Sequence, residues 1–159
     1  LAGVHVDAIK QGAKVFGGLA HRCQTVSMSN NVRWINDSKA TNVGATQAAI
    51  QGIVESCPGR LVLIAGGEGK GADFSPLADL LEHSVDLLIT LGKDGDKIAA
   101  LKAGTVKVQS LEQAVKVAAD YAQPQDTVML SPACASLDMF NNYQHRGECF
   151  IKAVQELSL

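Results

Sequence analysis

The sequence predicts an α/β domain built on a doubly wound, mostly parallel sheet, with an antiparallel hairpin at one edge and helices on both faces. Three observations carry this. The runs Leu61-Val62-Leu63-Ile64-Ala65 and Leu87-Leu88-Ile89-Thr90-Leu91 are almost unbroken in apolar character. That suits strands covered on both sides, which is what parallel sheets require. Each run stops at glycine, Gly66 and Gly92, so the chain turns where a strand should end. From residue 32 onward strand-like and helix-like segments alternate, the pattern of a Rossmann-like layered sheet.

The elements follow in order. Residues 4–16 carry Val4, Ile9, Ala13 and Phe16 at rough helical spacing, and Gly17-Gly18 ends that helix. A unit boundary is expected near residue 22. Residues 1–22 are then the end of a preceding domain and a linker, and residues 23–159 are the domain proper. The chain opens at Leu1, in what reads as mid-helix, so it is expected to be part of a longer protein. Runs 24–28 and 32–36 flank Ser29-Asn30-Asn31 and predict a hairpin. Residues 42–54 are Ala-rich and predict a helix. Strand 61–65, helix 76–82, strand 87–91, helix 96–102 and strand 106–108 come next. Helix 111–122 places Leu111, Val115, Ala118 and Ala119 on one side. Strand 127–130 precedes a long closing helix over 137–157, with Phe140, Tyr143, Phe150, Ile151, Val154 and Leu157 near helical spacing.

Composition narrows the function. Aromatics make up only 4% of the residues, so the core must rest on aliphatic side chains. A net charge of −2 with no basic stripe argues against nucleic acid. No apolar run approaches a membrane span. Cys23, Cys57, Cys134 and Cys149 form no C-x-x-C pair and share no zinc-like spacing with His5, His21, His83 or His145. Free thiols and no metal cluster are expected.

In an open parallel sheet, ligands bind beyond the carboxyl ends of the strands. Four strand ends here carry polar loops: residues 36–42, 66–71, 92–95 and 131–136. Their Lys, Thr, Ser and Gly content suits an anionic ligand, because lysines supply charge, hydroxyls directional donors and helix N-termini free N–H groups. In the first loop Asp37 is placed to hold a metal or a ribose hydroxyl, or else Asp37 and Ser38 cap the following helix. Lys39 and Thr41 flank that helix start. In the second, Gly69-Lys70 is followed by Gly71, so the loop is not a Walker A loop. Gly67-x-Gly69-x-x-Ala72 matches the loose dinucleotide pattern, but no acidic residue closes the next strand. A dinucleotide-binding domain therefore stays as an alternative. In the fourth, Ser136 lacks a nucleophile elbow and reads as an N-cap or a ligand contact. His145-Arg146 reads as helix surface, and Cys134 as a packed thiol.

The run Val32-Arg33-Trp34-Ile35-Asn36-Asp37-Ser38-Lys39-Ala40-Thr41-Asn42 resembles the C-terminal domain of the Mur ligases. The stretches Gly66-Gly67-Glu68-Gly69-Lys70-Gly71-Ala72-Asp73-Phe74 and Leu130 through Phe140, with Arg146-Gly147 after them, are similar to the D-glutamate-adding branch of that family. The likeness runs from about His21 to the end, with Ala20 where that family leads one to expect proline.

The resemblance implies a cytoplasmic ligase of peptidoglycan synthesis. ATP, with Mg2+, would phosphorylate the carboxylate of UDP-N-acetylmuramoyl-L-alanine, and the amine of D-glutamate would attack the acyl phosphate. It implies that Arg22 meets the nucleotide phosphates and Asp37 the ribose, and that Lys39 lies near the reacting centre. Thr41, Lys70 and Ser136 would hold the carboxylates of D-glutamate, with the backbone near Tyr143 helping. The P-loop and metal ligands would lie in other domains of the same protein, so this chain alone is expected to be inactive. A folylpolyglutamate synthase-type ligase, which also adds glutamate, is the alternative enzyme.

Overall fold

The computed structural model of the chain describes residues 19–157. The helix expected over 4–16 and most of the expected linker lie outside the described residues. Six strands form one sheet: β1 (Gln24–Ser29), β2 (Val32–Asn36), β3 (Leu61–Gly66), β4 (Leu87–Leu91), β5 (Val106–Lys107) and β6 (Thr127–Leu130). Among the described residues five α-helices surround it: α1 (Val43–Val54), α2 (Ala78–Ser84), α3 (Gly95–Ala99), α4 (Leu111–Tyr121) and α5 (Tyr143–Glu156). The sheet order is β1-β2-β6-β3-β4-β5. Only β1 and β2 pair antiparallel; the other neighbours are parallel. Asn30 and Asn31 turn the hairpin at φ of 52° and 59°, the left-handed pair that a two-residue turn between twisted strands demands.

Strand alternation splits the core into two layers. Val62, Ile64, Ile89 and Val128 face Leu111, Val115, Phe150 and Val154 of α4 and α5. Leu61, Leu63, Leu88 and Met129 face Ile50, Leu77, Leu81 and Ile98 on the other side. Covering both faces is why the β3 and β4 runs are apolar throughout. Each large aliphatic side chain buried there contributes about 1.5–3 kcal/mol relative to exposure.

Two expectations are corrected. The closing helix begins at Tyr143, not residue 137. The Ser136 carbonyl accepts the N–H groups of Met139 and Phe140 in a tight turn, and the Asn142 side chain accepts from His145 N–H to start the helix. Arg146 is not on the helix surface: it is 3% exposed. Its position one and two turns before Phe150 and Val154 puts it on the buried stripe of α5.

The insertion of β6 between β2 and β3 decides where the loops meet. The chain runs outward through β3, β4 and β5 and returns by α4 to the middle of the sheet. The loops leaving β2, β6 and β3 therefore emerge side by side at the carboxyl rim, where the winding changes direction. No described helix is long and apolar enough to cross a membrane.

Candidate functional site

The β2–α1 loop is held from three directions. Asp37 N–H donates to Leu130 O at 2.8 Å, continuing the ladder to β6, and Lys39 N–H donates to His21 O at 3.0 Å. Ser38 Oγ donates to the carbonyl of Tyr143 at 2.8 Å. Asn42 caps α1 by accepting from Ala45 N–H. Asp37 and Ser38 are thus spared from capping, which closes that reading of the loop.

Asp37 is 6% exposed. Its Oδ1 accepts Cys23 N–H at 3.1 Å and its Oδ2 accepts the Ser131 hydroxyl at 2.8 Å. Burial pushes its pKa above the usual carboxylate value, against the opposing pull of those donors and of Arg22. Lys39 lies with its ammonium 4.0 Å from the centre of the Tyr143 ring, a cation–π contact. The edge of His21 meets the same ring at 6.1 Å between centroids.

These pieces frame one cavity of about 520 Å³, whose wall includes Arg22, Asp37, Lys39, Thr41 and the small residues Ala45, Ala48 and Ala49 of α1. Two cations, a carboxylate and a hydroxyl line an otherwise small-residue surface, a set of groups that suits an anionic ligand. A larger cavity of about 690 Å³ at the ends of β4 and β5 holds none of the candidate residues. Both of its lysines are engaged, Lys93 with Glu68 and Lys107 with Asp96. We therefore take the smaller cavity as the site.

The glycine loop after β3 and the loop after β6 are bound together. Glu68 and Ala135 exchange backbone hydrogen bonds of 2.9 and 3.0 Å. A Cβ on Gly67, which stands at φ 128°, would lie 2.3 Å from Ala135 O, so only glycine permits this approach. The pairing sets exposed Lys70 and buried Ser136 on neighbouring loops. Neither lines the 520 Å³ cavity. The dinucleotide pattern does not act as a phosphate cradle here. Gly69 N–H is already taken by the Asp94 carboxylate at 2.7 Å, and no helix starts until the 3₁₀ turn at Ser75–Leu77.

Arg146 was missed as a site element. Its Nε and Nη2 donate to Ser38 Oγ and Ser38 O, both at 2.9 Å, and Nη1 donates to Cys134 O at 3.1 Å. It ties the Lys39 loop to the Ser136 loop. Desolvation lowers its pKa to about 10, and burial raises that of the Cys134 thiol to about 12. The available signal was its i, i+4, i+8 spacing with Phe150 and Val154. Ser131, behind Asp37, offered no signal beyond its place in a polar loop. Among the described residues no group of three or more His, Cys, Asp or Glu side chains stands close enough to hold a metal ion. All four cysteines are free.

Comparison with known proteins adds to this geometry. Residues 21–134 match the family model described as Mur ligase, glutamate ligase domain. The chain is 56% identical over 156 residues to the UDP-N-acetylmuramoylalanine–D-glutamate ligase of Colwellia psychrerythraea, covering 97% of this chain and 33% of that protein. It thus spans about a third of the length of the curated relatives it matches. Among solved structures, a bifunctional folylpolyglutamate synthase/dihydrofolate synthase from Yersinia pestis, complexed with AMPPNP and a Mn ion, superposes with a TM-score of 0.68 at 19% identity. It covers 98% of this chain and 35% of that one. The UDP-N-acetylmuramate–alanine ligase of Thermotoga maritima superposes with a TM-score of 0.66 at 16% identity, again over 98% of this chain and 35% of that one.

Proposed function

The chain belongs to the Mur ligase family, and from that premise we propose that it is the amino-acid-binding domain of a cytoplasmic ATP-dependent ligase that adds D-glutamate to UDP-N-acetylmuramoyl-L-alanine in peptidoglycan synthesis. The observation that carries the reading is the cavity walled by Arg22, Asp37, Lys39 and Thr41, with the loops of Lys70 and Ser136 joined to each other through Glu68 and Ala135. Residues 1–22 are the end of an ATPase domain and its linker, and residues 23–159 the domain that closes on it.

ATP supplies the phosphoryl group that activates the acceptor carboxylate. The residues of this chain position the participants. Arg22 offers a bidentate guanidinium to phosphate oxygens, and the Asp37 carboxylate accepts from a ribose hydroxyl. Lys39, steadied over Tyr143, places positive charge where the transferring phosphoryl group and the acyl oxygen carry negative charge. The Thr41 and Ser136 hydroxyls and the Lys70 ammonium hold the two carboxylates of D-glutamate. Tyr143 is the first residue of α5, so its backbone N–H is one that the helix does not use and is free to join them. With its carboxylates fixed, the amine of D-glutamate attacks the activated acyl carbon, phosphate leaves, and an amide bond forms. The ligands of a magnesium ion are assigned mostly to the rest of the protein.

The glutamate-adding folate ligases share this architecture at 19% identity, which speaks for the fold alone. The 56% identity with a D-glutamate ligase favours the reading given. Steady-state kinetics on the full-length protein test it. Lys70→Ala should raise the KM for D-glutamate by about one to two orders of magnitude, since a charge-assisted bond is lost. Arg22→Ala should act mainly on ATP. If Lys70→Ala raised the KM for ATP instead, the glycine loop would be a phosphate loop and the assignment of the two half-sites would be wrong.

A further inference from the structure

The geometry points to Asp94 as the positioning residue of the Lys70 loop: its carboxylate holds the Gly69-Lys70-Gly71 turn in the shape that presents the Lys70 ammonium to a substrate carboxylate. This rests on the role of Lys70 proposed above.

Asp94 directly precedes α3 and occupies its N-cap position. An aspartate there ordinarily accepts from the first free N–H groups of its own helix. Asp94 makes no such bond. Its Oδ2 reaches back across the rim to accept Gly69 N–H at 2.7 Å, and its Oδ1 pairs with Lys97 Nζ at 2.7 Å. Its backbone N–H donates to Gly67 O at 2.8 Å. One residue thus grips the glycine loop at two points, through main chain and side chain, and its side chain is only 9% exposed. The α3 terminus forgoes its side-chain cap to serve another loop.

The loop needs that grip. Beyond the bridge between Glu68 and Ala135, the stretch from Gly69 to the 3₁₀ turn lies in no strand or helix. Lys70 itself stands at φ 52°, a left-handed conformation disfavoured for any residue with a Cβ. A Cβ on Gly69 would meet Phe74 Cζ at 2.6 Å and Asp94 Oδ2 at 3.3 Å, so the loop is seated directly on those two side chains. Lys70 follows the gripped N–H by one residue. Releasing Gly69 lets the turn relax toward ordinary φ values, which redirects the lysine without touching Arg22, Asp37 or Lys39 on the other side of the rim. The sheltered carboxylate also stays charged: the Lys97 ammonium beside it holds its pKa below the usual value.

The test is steady-state kinetics on the full-length protein, varying D-glutamate and ATP separately. Asp94→Ala should raise the KM for D-glutamate about tenfold and leave the KM for ATP within about twofold. Asp94→Asn, whose amide oxygen still accepts Gly69 N–H, should restore most of the loss. Lys97→Ala, which removes the other partner of Asp94, should leave both values within about twofold. An unchanged D-glutamate KM in Asp94→Ala, or an equal rise in both KM values, overturns the inference. Hydrogen exchange of the Gly69 amide in the unmodified protein gives a reading that needs no variant. Slow exchange supports the grip, and exchange at the rate of an open loop overturns it. If Lys70→Ala leaves the D-glutamate KM unchanged, the role of Lys70 falls. If Lys70→Ala raises it and Asp94→Ala does not, the positioning role of Asp94 falls.

Discussion

Arg146 lies buried against Ser38, its Nε donating to the Ser38 hydroxyl and its Nη2 to the Ser38 carbonyl, each at 2.9 Å. Among the described residues no carboxylate is a hydrogen-bond partner of it: the third partner is the carbonyl of Cys134. The guanidinium offers its donors in a rigid planar fork. Arg146 of α5 thus bridges the loop carrying Lys39 and the loop carrying Ser136, alongside the hydrogen bond from the Ser131 hydroxyl to Asp37.

Arg146→Met should lower the unfolding free energy of the chain by about 2–4 kcal/mol, because three buried oxygens lose their donors at once. Arg146→Lys should recover little, since one ammonium cannot span the three acceptors. Urea unfolding followed by circular dichroism measures both. A loss below about 0.5 kcal/mol in the methionine variant, the range of ordinary surface changes, would remove Arg146 from the frame of the site.

Asp37 predicts a trade between stability and nucleotide use. Its folded pKa is raised by burial. Its contribution relative to the unfolded chain is therefore full below the unfolded value of about 3.9 and is lost as pH rises through the folded value. Asp37→Asn keeps an acceptor for Cys23 N–H and can pair with the Ser131 hydroxyl without the charge. The variant should melt above the unmodified chain at pH 7, with the gap closing toward pH 4, and its KM for ATP should rise. Melting curves across that range decide it; a gap that widens toward acid would contradict the raised pKa.

The contact of Lys39 with Tyr143 predicts a graded series. Tyr143→Phe keeps the ring and should leave kcat within about twofold. Tyr143→Leu keeps bulk but removes the π face, and should lower kcat about tenfold, in line with a partly buried cation–π contact. Equal activity of the two variants would show that the ring serves only to pack.

Gly67 predicts the cost of parting two loops. An alanine there would sit at φ 128° with its Cβ against Ala135 O, so the Glu68–Ala135 pairing must open. Gly67→Ala should cost about 3 kcal/mol or more and raise the KM for D-glutamate, since Lys70 and Ser136 would no longer share a frame. Thermal unfolding and kinetics read the two effects separately, and a variant as stable as the parent would contradict the close approach.

Local rules decided much of this protein before any contact was known. The strands at Leu61–Gly66 and Leu87–Leu91 announced themselves because a strand covered on both faces must be apolar throughout. Asn30-Asn31 marked the hairpin because few residues accept a left-handed φ. The polar loops at the strand ends were visible in the sequence, and the resemblance that runs through them selected Arg22, Asp37, Lys39, Thr41, Lys70, Ser136 and Tyr143 as candidates. What only the tertiary structure decided is which groups spend their hydrogen bonds on one another. Asn142 starts α5 because the turn after Ser136 consumes the residues before it. Arg146 points inward because the core stripe of α5 crosses two strand-end loops. Asp94 abandons its own helix for Gly69 because sheet order sets β4 beside β3. Period and propensity depend on near neighbours along the chain, as the turn after Ser136 and the Asn142 cap do, whereas the bonds of Arg146 to Ser38 and of Asp94 to Gly69 join residues that are adjacent only once the sheet is wound.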